Sequence, residues 1–236
     1  MGTAIFKQIN GLNAIVAASE CGILTPEQMQ GLSHLVQKYD VQALKMSTRQ
    51  TMVLLVSEAS TADIVKELEN YDFHIAPFNN TVRNVKACCG STDFCPRALG
   101  NALGLGIEIQ NKYMGKEVPH DFKIATAGCT RGCTDPLCAD FGVICHDNST
   151  FDIYIGGKGA GKKPVHGRLL ISRASHDDVF TTLDFVLENY RTLAQGKERL
   201  HKTIARTGLE PFLPSAIKPN EAAAAVDTAF LDMLNS

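Results

Sequence analysis

The chain has 236 residues, 44% hydrophobic and 20% charged, enough apolar side chains for a buried core and too many for a disordered tail. Its 23 Lys+Arg and 25 Asp+Glu give a net charge of -2. That balance argues against a dedicated nucleic-acid binder, and the absence of any run of about 18 apolar residues argues against a membrane span.

Residues 12–18 are apolar but short, with only Lys7 as a preceding positive charge, so they read as a buried strand and not as a signal peptide. The strand is predicted over 13–19. Thr25-Pro26-Glu27-Gln28 is a helix start, with Thr25 as N-cap and Gln28 three residues on. Met29, Leu32, Leu35 and Val36 follow at helical spacing. Strand-like runs at 41–46 and 51–57 are hinged at 47–50. A second helix starts near Ser60 and turns Ile64, Val65 and Leu68 inward. Residues 10–72 therefore read β-α-β-β-α.

Residues 77–81 read as a loop and 88–95 as a Gly- and polar-rich segment. Pro96 predicts a helix through about residue 113. A strand over 122–126 runs into Ala127-Gly128-Cys129, and three more are expected at 141–145, 151–155 and 169–172. Ser175 caps a helix with Val179, Leu183, Val186, Leu187 and Tyr190 on one face. The tail from residue 198 reads as helical. A boundary near 72–78 divides the chain into a small unit, 1–75, and a larger one, 76–236, in an α+β fold.

The eight cysteines are Cys21, Cys88, Cys89, Cys95, Cys129, Cys133, Cys138 and Cys145. A chain of this size needs no disulfide staples, and without an export signal a reducing, cytoplasmic setting is expected, where clustered cysteines bind metal or do redox work. Cys89 and Cys95 enclose five residues, and Cys129 and Cys133 enclose three. Two thiolate pairs suit a [4Fe–4S] cluster, which asks for one thiolate per iron. The wide first pair is poor for a zinc knuckle. A C-x3-C-x2-C motif fails at Pro136, because the next cysteine is Cys138. Gly128 and Gly132 disfavour the alternative of a helix burying Cys129 and Cys133 as small core residues. Residues 156–163 are glycine-rich, but Lys163 stands where a phosphate loop needs Ser or Thr. No dinucleotide fingerprint occurs, so flavin and nicotinamide are not expected.

Several motifs together resemble the sirohaem-containing sulfite and nitrite reductases, especially small single-copy members, over about residues 10–210. They are Gly22-Ile23-Leu24-Thr25 with Gln28, the Ser47-Thr48-Arg49-Gln50 turn, Thr81-Val82-Arg83-Asn84-Val85, Cys89 to Cys95, Ala127-Gly128-Cys129 to Cys133, and the strand and double glycine ending at Gly156 and Gly157. The resemblance implies a ferredoxin-like half-domain followed by a sirohaem and [4Fe–4S] domain. It implies cluster ligands Cys89, Cys95, Cys129 and Cys133, with Cys133 shared between cluster and sirohaem iron. Cys88 is the alternative first ligand, since it fits the family's Ala-Cys lead-in, whereas Cys89 keeps the five-residue spacing.

The resemblance further implies substrate-binding cations at Arg83 and Lys123, and tetrapyrrole-carboxylate binding by Arg49 and Arg83. Backbone and cations at Gly156, Gly157, Lys158 and Arg168 join them, with Lys162 and Lys163 as further candidates. Asp121 stands where a third distal cation is expected, and residues 14–21 carry no basic residue where another belongs. The implied function is six-electron reduction of sulfite to sulfide or nitrite to ammonia, with electrons from ferredoxin or a flavoprotein and a possible homodimer. The rival is a non-catalytic electron carrier, redox sensor or tetrapyrrole-handling protein. Cys21, Cys138 and Cys145 have no role in either reading and are expected to be buried free thiols.

Overall fold

The computed structural model describes residues 2–215 and 217. The chain begins with short strands β1 (Gly2–Thr3) and β2 (Ile5–Lys7), then β3 (Asn13–Ala18). Helix α1 (Pro26–Lys38) opens on the expected capping box, in which the Thr25 hydroxyl accepts the Gln28 N–H and the Gln28 side chain accepts the Thr25 N–H. Strands β4 (Ala43–Met46) and β5 (Met52–Val56) and helix α2 (Thr61–Asn70) complete the unit. The sheet order is β2-β3-β5-β4, antiparallel throughout, and β6 (His74–Ile75) extends it beside β3. Both helices lie on one face. Leu32, Leu35, Ile64 and Leu68 pack on Ile15, Met52, Leu54 and Val56, the inward set of alternating strands.

The second unit follows β7 (Pro77–Phe78), which pairs with β1. Its sheet runs β12-β11-β10-β9-β8, where β8 is Lys86–Ala87, β9 Ile124–Ala127, β10 Phe141–Cys145, β11 Phe151–Ile155 and β12 Arg168–Ala174. β8, β9 and β10 are parallel, and the remaining pairs are antiparallel. Helices α3 (Ala102–Tyr113) and α4 (His176–Leu193) share one core with this sheet, where Tyr113 stacks on Phe180 with ring centroids 6.3 Å apart. Short helix α5 (Leu200–Thr207) closes the core through Leu200 and Ile204. The helical expectation for the tail holds for α5 but fails at Gly208, whose φ of +85° ends the helix, and only a 3-10 turn over Glu210–Phe212 follows; residue 216 and residues 218–236 lie outside the described residues.

The helix expected from Pro96 starts only at Ala102, capped by the Asn101 side chain on the Gly104 N–H. The cause is tertiary. Leu99 donates its N–H to Gly128 O at 2.7 Å and Ala102 donates to Gly90 O at 2.7 Å. Donors spent across the loop cannot enter a helical ladder.

The two units are joined through the turn before β5. The Arg49 guanidinium donates to Asn84 O, and Asn84 Nδ2 returns a bond to Arg49 O at 2.6 Å. The Gln50 amide donates to Ala87 O at 2.8 Å and accepts the Ala87 N–H at 2.9 Å.

Candidate cofactor site

Two cavities lie side by side where these units meet. The first, about 350 Å³, is lined by Cys88, Cys89, Cys95, Cys129 and Cys133, with Gln50 and Thr134 on its edge. β8 and β9 bring the cysteines together, because each strand ends in a turn that carries thiols. The turns cross at Gly90 and Gly128. A Cβ on Gly90 would stand 2.7 Å from both the Cys88 sulfur and the Gly128 Cα, so glycine is required there. Segment 128–133 is a chain of turns, with Gly132 at φ +59°, and not a helix, as its glycines predict. All eight cysteines are free. No three His, Cys, Asp or Glu side chains among the described residues converge on a single ion. Thiols spread around a cavity suit a cluster, with one sulfur per iron, better than a mononuclear metal.

The second cavity, about 320 Å³, is a cationic cleft lined by Thr48, Arg49, Lys86, Lys123, Asp135 and Cys138, and it meets the first at Thr134. Arg49 is deeply buried, and burial with the neighbouring Arg83 charge lowers its pKa to about 10. Burial, then the Arg199 and Arg49 charges, pull the Lys123 ammonium below its ordinary value. Lys86 is held by Asp135 at 3.1 Å.

Behind the cleft lie two ion pairs. Arg83 donates to Asp121 at 3.1 Å, and Arg199 donates to Asp140 at 2.8 Å. Asp140 is fully buried, which pushes its carboxyl upward against the opposing pull of Arg199. Its Oδ2 also accepts the Lys123 N–H at 2.9 Å. Arg49 Nε, Arg83 Nε, Asp121 Oδ1, Asp140 Oδ1, Arg199 Nε and His120 Nδ1 are buried without a hydrogen-bond partner. Three of these are arginine N–H donors without an acceptor, which marks a place able to receive an anionic group.

The structure thus gathers Arg49 and Lys123 in the cleft, with Arg83 in the ion-pair layer behind it. Gly156 and Gly157 serve packing. A Cβ on Gly156 would press on Ile204 at 2.8 Å, and one on Gly157 would meet the Ala139 N at 2.9 Å. Lys158 is half-buried in a backbone bridge to Val165, and Arg168 is exposed at the start of β12. Neither lines the cleft, although Gly159 and Ala160 do. Cys138 is half-buried against the cleft, while Cys21 and Cys145 are buried thiols, each pushed up to about 12 chiefly by burial. Sequence reasoning missed Lys86, Asp140 and Arg199. Lys86 had a signal, since it precedes Ala87-Cys88 on the same strand. Asp140 and Arg199 lie 59 residues apart and had none.

Thiol cavity and cationic cleft together define a cluster-binding protein with an anion-receiving site. Residues 78–221 match the model of the nitrite and sulphite reductase 4Fe-4S domain, and residues 6–71 match the nitrite/sulfite reductase ferredoxin-like half domain. The chain belongs to the nitrite and sulphite reductase family. It is 28% identical over 207 residues to an assimilatory-type sulfite reductase of Nitratidesulfovibrio vulgaris, covering 88% of this chain and 93% of that one. It is 27% identical over 187 residues to the large subunit of nitrite reductase (NADH) of Escherichia coli, covering 78% of this chain and 22% of that one. Across three nitrite reductases it matches, the chain spans only 17% to 25% of their length. The solved structure of dissimilatory sulfite reductase I superposes with a TM-score of 0.75 at 15% identity, over 89% of this chain and 72% of that one, which shows a shared fold. The family match points to a [4Fe–4S] cluster and sirohaem, and the residues present fit both: thiols around one cavity, and buried, partnerless cationic donors beside it. No helix among the described residues is long and apolar enough to cross a membrane.

Proposed function

We propose that the chain is a sirohaem-[4Fe–4S] reductase that carries out the six-electron reduction of sulfite to sulfide or of nitrite to ammonia. The observation that carries this reading is the contact between a thiol cavity and a cationic cleft at Thr134. Bound cluster and sirohaem would supply electrons one at a time to the substrate, and Cys133 would be among the residues that hold them. This chain's residues do the rest. Cys95, Cys129, Cys133 and one of the adjacent Cys88 and Cys89 hold the cluster. Arg49 holds tetrapyrrole carboxylates. Lys123 and Arg83 bind and orient the oxyanion through charge-assisted bonds and stabilise charge as oxygen departs. Electrons come from an external donor such as ferredoxin or a flavoprotein.

A second reading, a non-catalytic carrier, is favoured by one observation: Asp121 neutralises Arg83 at 3.1 Å, so one expected distal cation is already paired. Methyl-viologen oxidation by the anaerobically purified, cofactor-loaded chain separates the two. Turnover with sulfite or nitrite is expected, and Arg83→Ala should lower kcat/KM about a hundredfold while haem content stays constant. A fully loaded wild type that turns over neither anion would establish the carrier. Undiminished turnover in Arg83→Ala would remove Arg83 from the site.

A further inference from the structure

The geometry points to Cys88, not Cys89, as the first cluster ligand, positioned by a backbone N–H from the opposite turn. The inference rests on the cluster reading above and assigns the residue that reading leaves open. Cys88 continues the parallel ladder of β8 and β9, its N–H donated to Thr126 O at 3.2 Å. Side chains alternate along a strand. Lys86 lines the cleft, while Ala87 faces α3, where it meets the Cβ position of Gly106. Cys88 and Cys89 both line the thiol cavity, so the contacts of their sulfurs decide between them.

The two sulfurs differ in their contacts. The Gly128 N–H is directed at the Cys88 sulfur at 3.1 Å. Among the described residues no hydrogen bond reaches the Cys89 sulfur, and Cys89 is exposed at the rim whereas Cys88 is half-buried. N–H donors to cluster sulfurs help set the reduction potential of such centres. Gly128 immediately precedes Cys129, so one turn supplies both a ligand and the donor that orients its partner across the cavity.

The objection is spacing, since Cys88 and Cys95 enclose six residues where Cys89 and Cys95 enclose five. The structure absorbs the extra residue in a turn. Phe94 and Cys95 both donate to Ser91 O, at 3.2 and 3.0 Å, and Ser91 donates to Cys89 O at 3.0 Å. The ligand set is then Cys88, Cys95, Cys129 and Cys133, with Cys89 a free thiol outside it.

Iron and acid-labile sulfide are measured in anaerobically purified full-length chain. Cys88→Ser is expected to lose the complement of a [4Fe–4S] cluster, and Cys89→Ser to keep it. A variant-free measurement guards against misfolding. Brief alkylation of the native, loaded protein followed by peptide mass spectrometry should label Cys89 and leave Cys88 protected until the cluster is removed by a chelator. Loss of the cluster in Cys89→Ser, its retention in Cys88→Ser, or protection of Cys89 with labelling of Cys88 would each overturn the assignment. A wild type with neither iron nor sulfide after reconstitution would overturn the cluster reading itself, and the assignment with it.

Discussion

The thiol cavity and the cationic cleft lie side by side on one sheet, yet different forces hold their side chains. In the first, main chain sets position: two strand ends, two crossing glycines and N–H groups aimed at a carbonyl or a sulfur. In the second, charge sets position: Lys86 on Asp135, Arg83 on Asp121, Arg199 on Asp140, with Arg49 bonded across the domain junction. Backbone holds geometry within narrow steric limits. Coupled charges hold it only while every partner is present, and removing one leaves another buried and unpaired. Damage to the cavity should therefore show first in cluster content, and damage to the cleft in stability.

The sharpest break in the comparison is Cys129→Ser. One lost thiolate should abolish the cluster, read as complete loss of acid-labile sulfide, because ligation is not shared out among spare groups. Asp140→Ala comes next. It strips the partner from a half-buried Arg199 and the acceptor from Lys123 N, so urea unfolding should show a loss of about 3 kcal/mol or more. If Asp140→Ala is neutral, charge does not organise the cleft. Gly90→Ala tests the backbone side with a smaller change. The added methyl meets the Gly128 main chain, and overpacking of this kind costs about 1–3 kcal/mol. Cluster content should fall with it, whereas Asp140→Ala should leave sulfide content near wild type.

The gentlest probe is pH. Burial, then the Arg199 charge, depresses the His120 pKa below its ordinary value of about 6.5. A depressed base binds protons better when unfolded. Its contribution is thus present above about pH 6.5 and lost as pH falls through the folded value. His120→Gln should flatten that part of the acid limb in urea titrations. The residual slope includes His201, which burial depresses in the same direction.

What the sequence showed follows the same division. Local signals were legible: the N-caps at Thr25 and Ser175 form as read, because four consecutive residues contain all their partners. The half-domain's order of elements was legible from apolar spacing, and four of the cavity's thiols from paired cysteines. The helix from Pro96 was misjudged because Gly90 and Gly128, both outside the segment, claim its hydrogen bonds. Asp121 read as a missing cation, and the structure shows it as the partner of Arg83. Asp140 and Arg199 were invisible, since a lone acid and a lone base far apart in sequence carry no pattern until folding brings them to 2.8 Å.

Gln50 has a consequence for how the molecule comes apart. Its side-chain amide makes the two bonds that a neighbouring strand residue would make to Ala87, so a loop of the first unit serves as a borrowed strand for the second. Melting the small unit alone would strip an edge from β8, whose next residues carry the cavity's thiols. The energetics of the two units are coupled at that amide, and heat should meet one cooperative transition across the junction in place of two independent ones.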